Sequence, residues 1–289
     1  MKSSACSSIW AKDHKGEGTQ PYWTWQPSTC ALDAVDAGKF CRAMKGRKGL
    51  LFVGDSLTHI MVRTLAAVLR AKLLSNPPSI LHYSACGGSL KFSWYRNDYL
   101  DVRKSRAEKM RCEELESSCL VFASDSLLRQ FDTLVVNAGA HKTVRGLSVY
   151  QDQMATASKV LTASMKRLHG GKAILMVRNT LPGHWECTER MFDGPVDLDT
   201  ALELVAKGPP EFDWPSIVDK NKALEEAFST KDGWKLLDVY APTVLRADSH
   251  HGGRDCLHYC QPGPIDHWVV LFYNMLLVET SAGMTNKET

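Results

Sequence analysis

A run of four apolar residues, Leu50-Leu51-Phe52-Val53, ends in Gly54-Asp55-Ser56 and gives way at once to a helical pattern. Four bulky apolar residues in succession suit a central strand covered on both faces, as parallel sheets require. Gly54 allows a backbone conformation, or a close approach, that a side chain would block. Leu57, Met61, Leu65 and Val68 then recur at helical spacing, so the strand passes through a tight turn into an amphipathic helix. Ser56 falls at the carboxyl end of the strand and the amino end of the helix. In open α/β sheets ligands bind at that edge, where free N–H groups and the helix dipole favour developing negative charge. Two readings of the tripeptide stand side by side here: Asp55 or Ser56 as a helix cap, or Ser56 as a nucleophile.

The 289 residues suffice for one large α/β domain or two small ones. The formal net charge of +3 comes with no basic run interleaved with aromatics, so no nucleic-acid partner is expected. No apolar stretch reaches membrane-spanning length, and Met1 to Ser8 lack the apolar core of a signal peptide. The nine cysteines (Cys6, Cys30, Cys41, Cys86, Cys112, Cys119, Cys187, Cys256 and Cys260) are spread along the whole chain without a CxxC pair. That spacing argues against a zinc ribbon and for several disulfides in an oxidising compartment, with at least one thiol left over. Free buried thiols, packed as small apolar groups, are the alternative.

Along the chain, residues 1 to about 45 are irregular, with Trp23 and Trp25 among Pro, Ser and cysteines. They read as a stapled segment packed on the main domain, the tryptophans either joining its core or offering a sugar-stacking face. After the first strand and its helix, Ser79 to Tyr83 reads as a second strand running into Cys86-Gly87-Gly88, a turn that could aim an N–H at the same site as Ser56. Lys91 to Tyr95 alternates polar and apolar residues, as an exposed strand does. Residues 100–119 are charged and read as helix or solvated loop. Phe131 to Val136 is a buried strand ending in Asn137-Ala138-Gly139, where the asparagine amide could donate to an oxyanion. A helix over 151–169 stops at Gly170-Gly171. Ala173 to Val177 forms a fourth strand, ending in Arg178-Asn179. Leu181 to Glu211 reads as a long functional loop, 216–229 as a helix, and Trp234 to Val239 as a fifth strand. The alternation of strand and helix predicts a doubly wound, mostly parallel sheet flanked by helices, within one domain over 46–282, followed by a tail over 283–289.

Near the end stands Asp255-Cys256-Leu257-His258-Tyr259-Cys260-Gln261-Pro262-Gly263, ahead of a helix from about Asp266 to Val278. Asp255 and His258, three apart in a loop, can converge, the carboxylate fixing the imidazole tautomer while the other ring nitrogen reaches a nucleophile. Cys256 and Cys260 could pin this loop to distant parts of the chain. Metal binding by Cys256, His258 and Cys260 would need an unusual spacing, and no metal is expected. His250-His251-Gly252-Gly253 reads as solvated loop.

Gly54-Asp55-Ser56 paired with Asp255-x-x-His258 resembles the signature of the PC-esterase group of SGNH/GDSL-like hydrolases. The finer text resembles the plant trichome birefringence-like family of polysaccharide O-acetyltransferases. The matching pieces, in order, are Trp25-Gln26-Pro27 with Cys30, Phe52 to Leu57, Phe92-x-Trp94-Tyr95, Val136-Asn137-x-Gly139, Arg178-Asn179 followed by His184, and Asp255 to Gly263. The resemblance covers residues 20 to 280 or so. It implies an SGNH-like three-layer α/β/α fold and serine-type acyl transfer to a sugar hydroxyl, with Ser56 as nucleophile, His258 as general base and Asp255 as its orienting partner. Around the oxyanion or substrate it implies the Ser56 N–H, Asn137, Gly87 or Gly88, Gly54 and Arg178. It further implies no bound cofactor, an acetyl donor such as acetyl-CoA as co-substrate, a polysaccharide acceptor, and residence in the Golgi lumen or secretory pathway. A carbohydrate acetylesterase with the same triad, and a non-catalytic glycan-binding protein, are the alternatives. The chain departs from the family pattern at Thr58-His59, where Asn-Arg is usual, at Asn137 to Lys142, which lacks the following tryptophans, and in the loop after His184. The cysteine-rich N-terminal module is short.

Overall fold

In the computed structural model, the residues described are 25, 27, 28, 30–108, 116–141, 146–187, 192, 194–252 and 255–285. Cys6, Cys112, Trp23 and most of the 1–45 segment lie outside them, as do residues 286–289 of the expected tail.

Leu50–Gly54 is strand β1, buried at every position. Its neighbours are β4 (Leu90–Arg96) on one side and β5 (Thr133–Val136) on the other, both parallel to it. β6 (Ile174–Arg178) and β7 (Trp234–Leu237) extend the parallel sheet beyond β5. Beyond β4, β3 (Ile80–Ala85) and the edge strand β2 (Lys72–Ser75) run antiparallel. The order is β2-β3-β4-β1-β5-β6-β7. After β1 the chain winds to one side of it, and after β4 to the other. Ser56 therefore stands at the point where the winding reverses, the place where open α/β sheets bind ligands.

The three layers follow from the alternation of side chains along β1. Leu50 and Phe52 share a core with Phe40 of helix α1 (Ala37–Ala43), with Met61 and Leu65 of α2 (Ser56–Val68), and with Trp268, Phe272 and Leu276. Leu51 and Val53 face the other way, into a core with Leu128 of α3 (Asp125–Leu128), Met154 and Leu161 of α4 (Leu147–His169), and Leu224. The remaining helices are α5 (Leu198–Ala206), α6 (Ile217–Ala227), α7 (Tyr240–Val244) and α8 (Pro264–Thr285). The expected fold class, a mostly parallel sheet between two helix layers, is the one observed. No helix among the described residues is long and apolar enough to cross a membrane.

Several local expectations are corrected. The Lys91 to Tyr95 stretch is an inner strand: Phe92, Ser93 and Trp94 are buried because β3 and β1 flank it. Polar–apolar alternation misled here because Ser93 is small and finds a partner in His82 Nδ1 at 2.7 Å. In the 100–119 stretch Asp101 and Arg103 are buried and 3.5 Å apart, 104–108 are exposed as expected of a solvated loop, and 109–115 lie outside the described residues. The long 181–211 segment contains α5, capped at its start by Asp197. The C-terminal helix runs past residue 282 to Thr285. Val68 lies at the edge of its helix face and is 38% exposed, unlike buried Leu57, Met61 and Leu65.

Candidate active site

The nucleophile turn is built by close approach. Asp55 caps α2, its Oδ1 accepting from the N–H groups of Leu57 at 3.0 Å and Thr58 at 3.2 Å. A Cβ on Gly54 would lie 2.5 Å from Thr58 Oγ1 and 3.2 Å from the Asn137 carbonyl, so only glycine lets the helix fold back this tightly. The two readings of the tripeptide are thus divided between residues: Asp55 is the cap, and Ser56 is left with a half-buried hydroxyl at the sheet edge. Its N–H has no partner among the described residues and stands at the positive end of the helix dipole.

The partners of Ser56 arrive from a separate two-stranded sheet, β8 (His250–Gly252) paired with β9 (Asp255–Tyr259). The expected loop around His258 is therefore a hairpin. His258 Nε2 lies 2.7 Å from Ser56 Oγ. On the far side of the ring, Nδ1 lies 2.9 Å from Asp255 Oδ2 and 3.0 Å from Oδ1. Asp255 is oriented in turn by the N–H of His258 at 3.1 Å. With Nδ1–H donating to the carboxylate, Nε2 accepts from the serine hydroxyl, the tautomer that a general base requires. Burial pushes the His258 imidazole down, but the hydrogen bond and charge of Asp255, with Asp55 behind it, outweigh this and raise it above the ordinary histidine value. Burial likewise pushes Asp255 up, and its bonds to His258 override this and hold it well below the usual carboxylate range.

The hairpin is fixed from behind. Cys256 is disulfide-bonded to Cys187, and Cys41 to Cys86. Cys119 and Cys260 each take part in a disulfide too, while Cys30 is free and exposed. The N–H of His184 donates to the Cys256 carbonyl at 3.0 Å. His250 is only 3% exposed, so the expectation of a solvated loop is corrected there. Its ring contacts His184 Nδ1 at 2.7 Å and the His258 carbonyl at 3.1 Å, and stacks on Tyr259. His184 Nε2 donates to the Val244 carbonyl at 2.6 Å. Burial, against that carbonyl and Asp248, pushes His184 down to about 4, which makes its Nδ1 the neutral acceptor for His250. Sequence reasoning missed His250 because a His-His-Gly-Gly string looks like turn.

The secondary site residues fare differently. Asn137 is fully buried at the end of β5, and its Nδ2 donates to the Arg178 carbonyl at 2.9 Å and the Asn179 carbonyl at 3.4 Å. Its amide ties two strand ends together and is not aimed at an oxyanion. Arg178 is also fully buried, 3.6 Å from Asp55. It cannot touch a substrate. Gly87 and Gly88 sit at the opposite edge of the sheet: β3 is antiparallel to β4, so Ala85 pairs with Leu90 at the amino end of β4, whereas Gly54 pairs with Arg96 at its carboxyl end. Linear order could not reveal that reversal. Closer to Ser56, one turn along α2, His59 packs against Trp94 with its ring tilted by 33° and centroids 4.6 Å apart. Burial and the charges of Arg63, Arg96 and His258 push it down to about 4, so it presents a neutral ring beside the site. Among the described residues no cluster of His, Cys, Asp or Glu could hold a metal ion.

A serine, a histidine and a carboxylate linked in this order at a strand-to-helix turn form the arrangement that serine-type acyl transfer uses. No family model matches the chain. Among curated proteins it is similar to protein trichome birefringence-like 38 of Arabidopsis thaliana, 28% identical over 287 residues covering 88% of this chain and 72% of that protein. It is also similar to xyloglucan O-acetyltransferase 1 of Arabidopsis thaliana, 23% identical with 88% and 70% covered. Among solved structures, a Slackia heliotrinireducens protein described as an SGNH hydrolase aligns over 78% of this chain and 98% of its own at 18% identity, with a TM-score of 0.42. The chain is thus similar, at 22–28% identity, to trichome birefringence-like proteins and xyloglucan O-acetyltransferases.

Proposed function

We propose that this protein O-acetylates a polysaccharide through an acetyl-Ser56 intermediate. The observation that carries the reading is the unbroken relay from Ser56 Oγ through His258 to Asp255. Ser56 Oγ attacks the acetyl carbonyl of an activated donor such as acetyl-CoA, giving its proton to His258 Nε2. Collapse of the tetrahedral adduct breaks the bond to the donor's leaving group, which takes that proton. A sugar hydroxyl then attacks the acetyl ester, His258 accepts its proton and returns it to Ser56 Oγ, and the acetyl group ends on the sugar. The Ser56 N–H at the α2 terminus is the donor placed to meet the oxyanion in both steps. The names of the relatives favour a plant cell-wall type of acceptor. Disulfides across the domain agree with assembly in the oxidising secretory pathway.

The test is incubation of the protein with an acetyl donor and xyloglucan, xylan, mannan or pectin oligosaccharides, read by mass spectrometry. Acetyl gain on one glycan class is the expected result. Ser56→Ala should lower the rate by on the order of 10⁴-fold or more. Full activity in that variant would refute the mechanism. Donor consumption without acetylated glycan would make the enzyme an esterase.

A further inference from the structure

The guanidinium of Arg178 lies at the end of β6 with no exposure to solvent. Burying an unpaired charge is costly, so its surroundings have to compensate. Nη2 lies 3.6 Å from Asp55 Oδ1 and donates to Thr58 Oγ1 at 2.9 Å. Nη1 donates to the Asn179 carbonyl at 3.0 Å, and the guanidinium carbon stands 4.7 Å from the centre of the Trp268 ring. Asp55, Thr58, Asn179 and Trp268 are themselves buried. The arginine is therefore closed off from any substrate, yet it sits directly beneath the nucleophile turn.

Asp55 explains its presence there. This carboxylate immediately precedes Ser56 and is fully buried. Oδ1 caps the helix, while Oδ2 has no hydrogen-bond partner among the described residues. A lone anion so placed would repel the oxyanion formed when Ser56 is acylated, in a medium where charges are weakly screened. We propose that Arg178 is a positioning residue for acyl transfer, neutralising Asp55 from beneath so that the helix cap does not oppose the negative charge of the tetrahedral intermediate. The inference rests on the Ser56 mechanism proposed above.

The same pairing tunes the base. Among the described residues, the charged and titratable groups acting on His258 include Asp255 on its own strand, Asp55 in the nucleophile turn, Arg96 at the end of β4 and His59 on α2. Burial lowers His258 and Asp255 raises it; Asp55 adds to the rise, and Arg96 opposes it. Removing Arg178 leaves the pull of Asp55 on the imidazolium uncompensated, so the base loses its proton only at higher pH. Removing the Asp55 charge does the reverse.

The experiment follows Ser56-dependent turnover of an activated aryl acetate across pH, with circular dichroism confirming the fold of each variant. Arg178→Met should lower the plateau kcat roughly ten- to a hundredfold and move the acidic limb upward by up to about one unit. Asp55→Asn, which still caps the helix, should move that limb downward. Asp55→Asn/Arg178→Met should bring the limb back towards its wild-type position and recover part of the plateau. Arg178→Lys, which keeps the charge, should stay nearer the wild type than Arg178→Met in both. A purely structural arginine would lower thermal stability and leave the limb in place. A folded Arg178→Met with an unmoved limb, or single variants that shift it in the same direction, would overturn the proposal. Were Arg178→Met not to fold, Asp55→Asn decides, and an unmoved or raised limb refutes the pairing. Turnover that survives Ser56→Ala would refute the acyl-transfer reading instead, which keeps the two failures apart.

Discussion

Ser56 stands on a turn between a strand buried at every residue and a helix of 13 residues packed on the core. Asp255 and His258 stand on a two-stranded hairpin outside the seven-stranded sheet, with side chains 42% and 27% exposed. The first half of the site is positioned by burial: a ladder on both sides, a capped helix and a glycine too crowded to replace. The second half buries Cys256 and Tyr259 and packs Leu257 against the core, but a two-stranded sheet by itself is marginal in water. It is held by the Cys187–Cys256 bridge, the His184–Cys256 backbone bond and the His250 contacts. Ser56 is thus built into the core, while Asp255 and His258 reach it across the sheet edge with the help of covalent and polar ties.

The comparison breaks most sharply at Asp255. Asp255→Asn leaves the hairpin's shape but removes the charge that fixes the His258 tautomer, and kcat should fall by about 10³- to 10⁴-fold with KM little changed. A loss below tenfold would mean that another group orients the ring. The pH profile of the wild type belongs to the same test. His258 acts only when neutral and is raised above its ordinary value, so the acidic limb should lie above about pH 6.5. The linked stability runs the other way. Because the folded value is raised, the His258–Asp255 pairing contributes fully below the unfolded histidine value and fades as pH climbs through the folded one. Activity should rise over the interval in which this contribution is lost, which parallel thermal melts and rate measurements would detect.

Next in size is the bridge that ties the hairpin down. Replacing Cys187 and Cys256 together by serine opens a loop whose ends are 69 residues apart in sequence, and should lower stability by about 2–5 kcal/mol. Catalysis should suffer beyond that loss: at a temperature where the variant is folded, kcat should still drop about tenfold or more, because a small misplacement of the base is expensive. A variant with lower Tm but unchanged kcat would show that His184 and His250 hold the hairpin without the disulfide. The smallest effect is expected at Gly88, at the opposite sheet edge with φ at 96°. Gly88→Ala should cost about 1 kcal/mol of stability through its backbone conformation and leave kcat alone. A substantial loss of activity would restore this turn to the site.

Most of the parallel sheet was legible because its strands are short apolar runs covered on both faces, and such runs have few other places to go. In the sequence β2 passes unnoticed and inner strand β4 reads as an exposed one, because a strand's place in a sheet depends on its neighbours. Lys91 and Ser93 look alike as polar residues in the chain, but one is exposed and the other buried beside His82. The contacts of Ser56 with His258 and of His258 with Asp255 join two blocks some two hundred residues apart that the sequence had already singled out, because each block has a characteristic local pattern.

The sequence by itself determined the Gly54-Asp55-Ser56 turn and the Asp255–His258 pair, because strand, turn, cap and three-residue spacing are all local. Only the tertiary structure decided which other residues belong with them. Asn137 and Arg178 lie at the same sheet edge as Ser56 but spend their donors inward, Gly87 and Gly88 were carried to the far edge by the reversal of β3, and His250 was drawn out of a supposed loop into the base's support. Hydrogen-bond direction, burial and strand polarity are relations between distant segments, and they come into being only when the chain has folded.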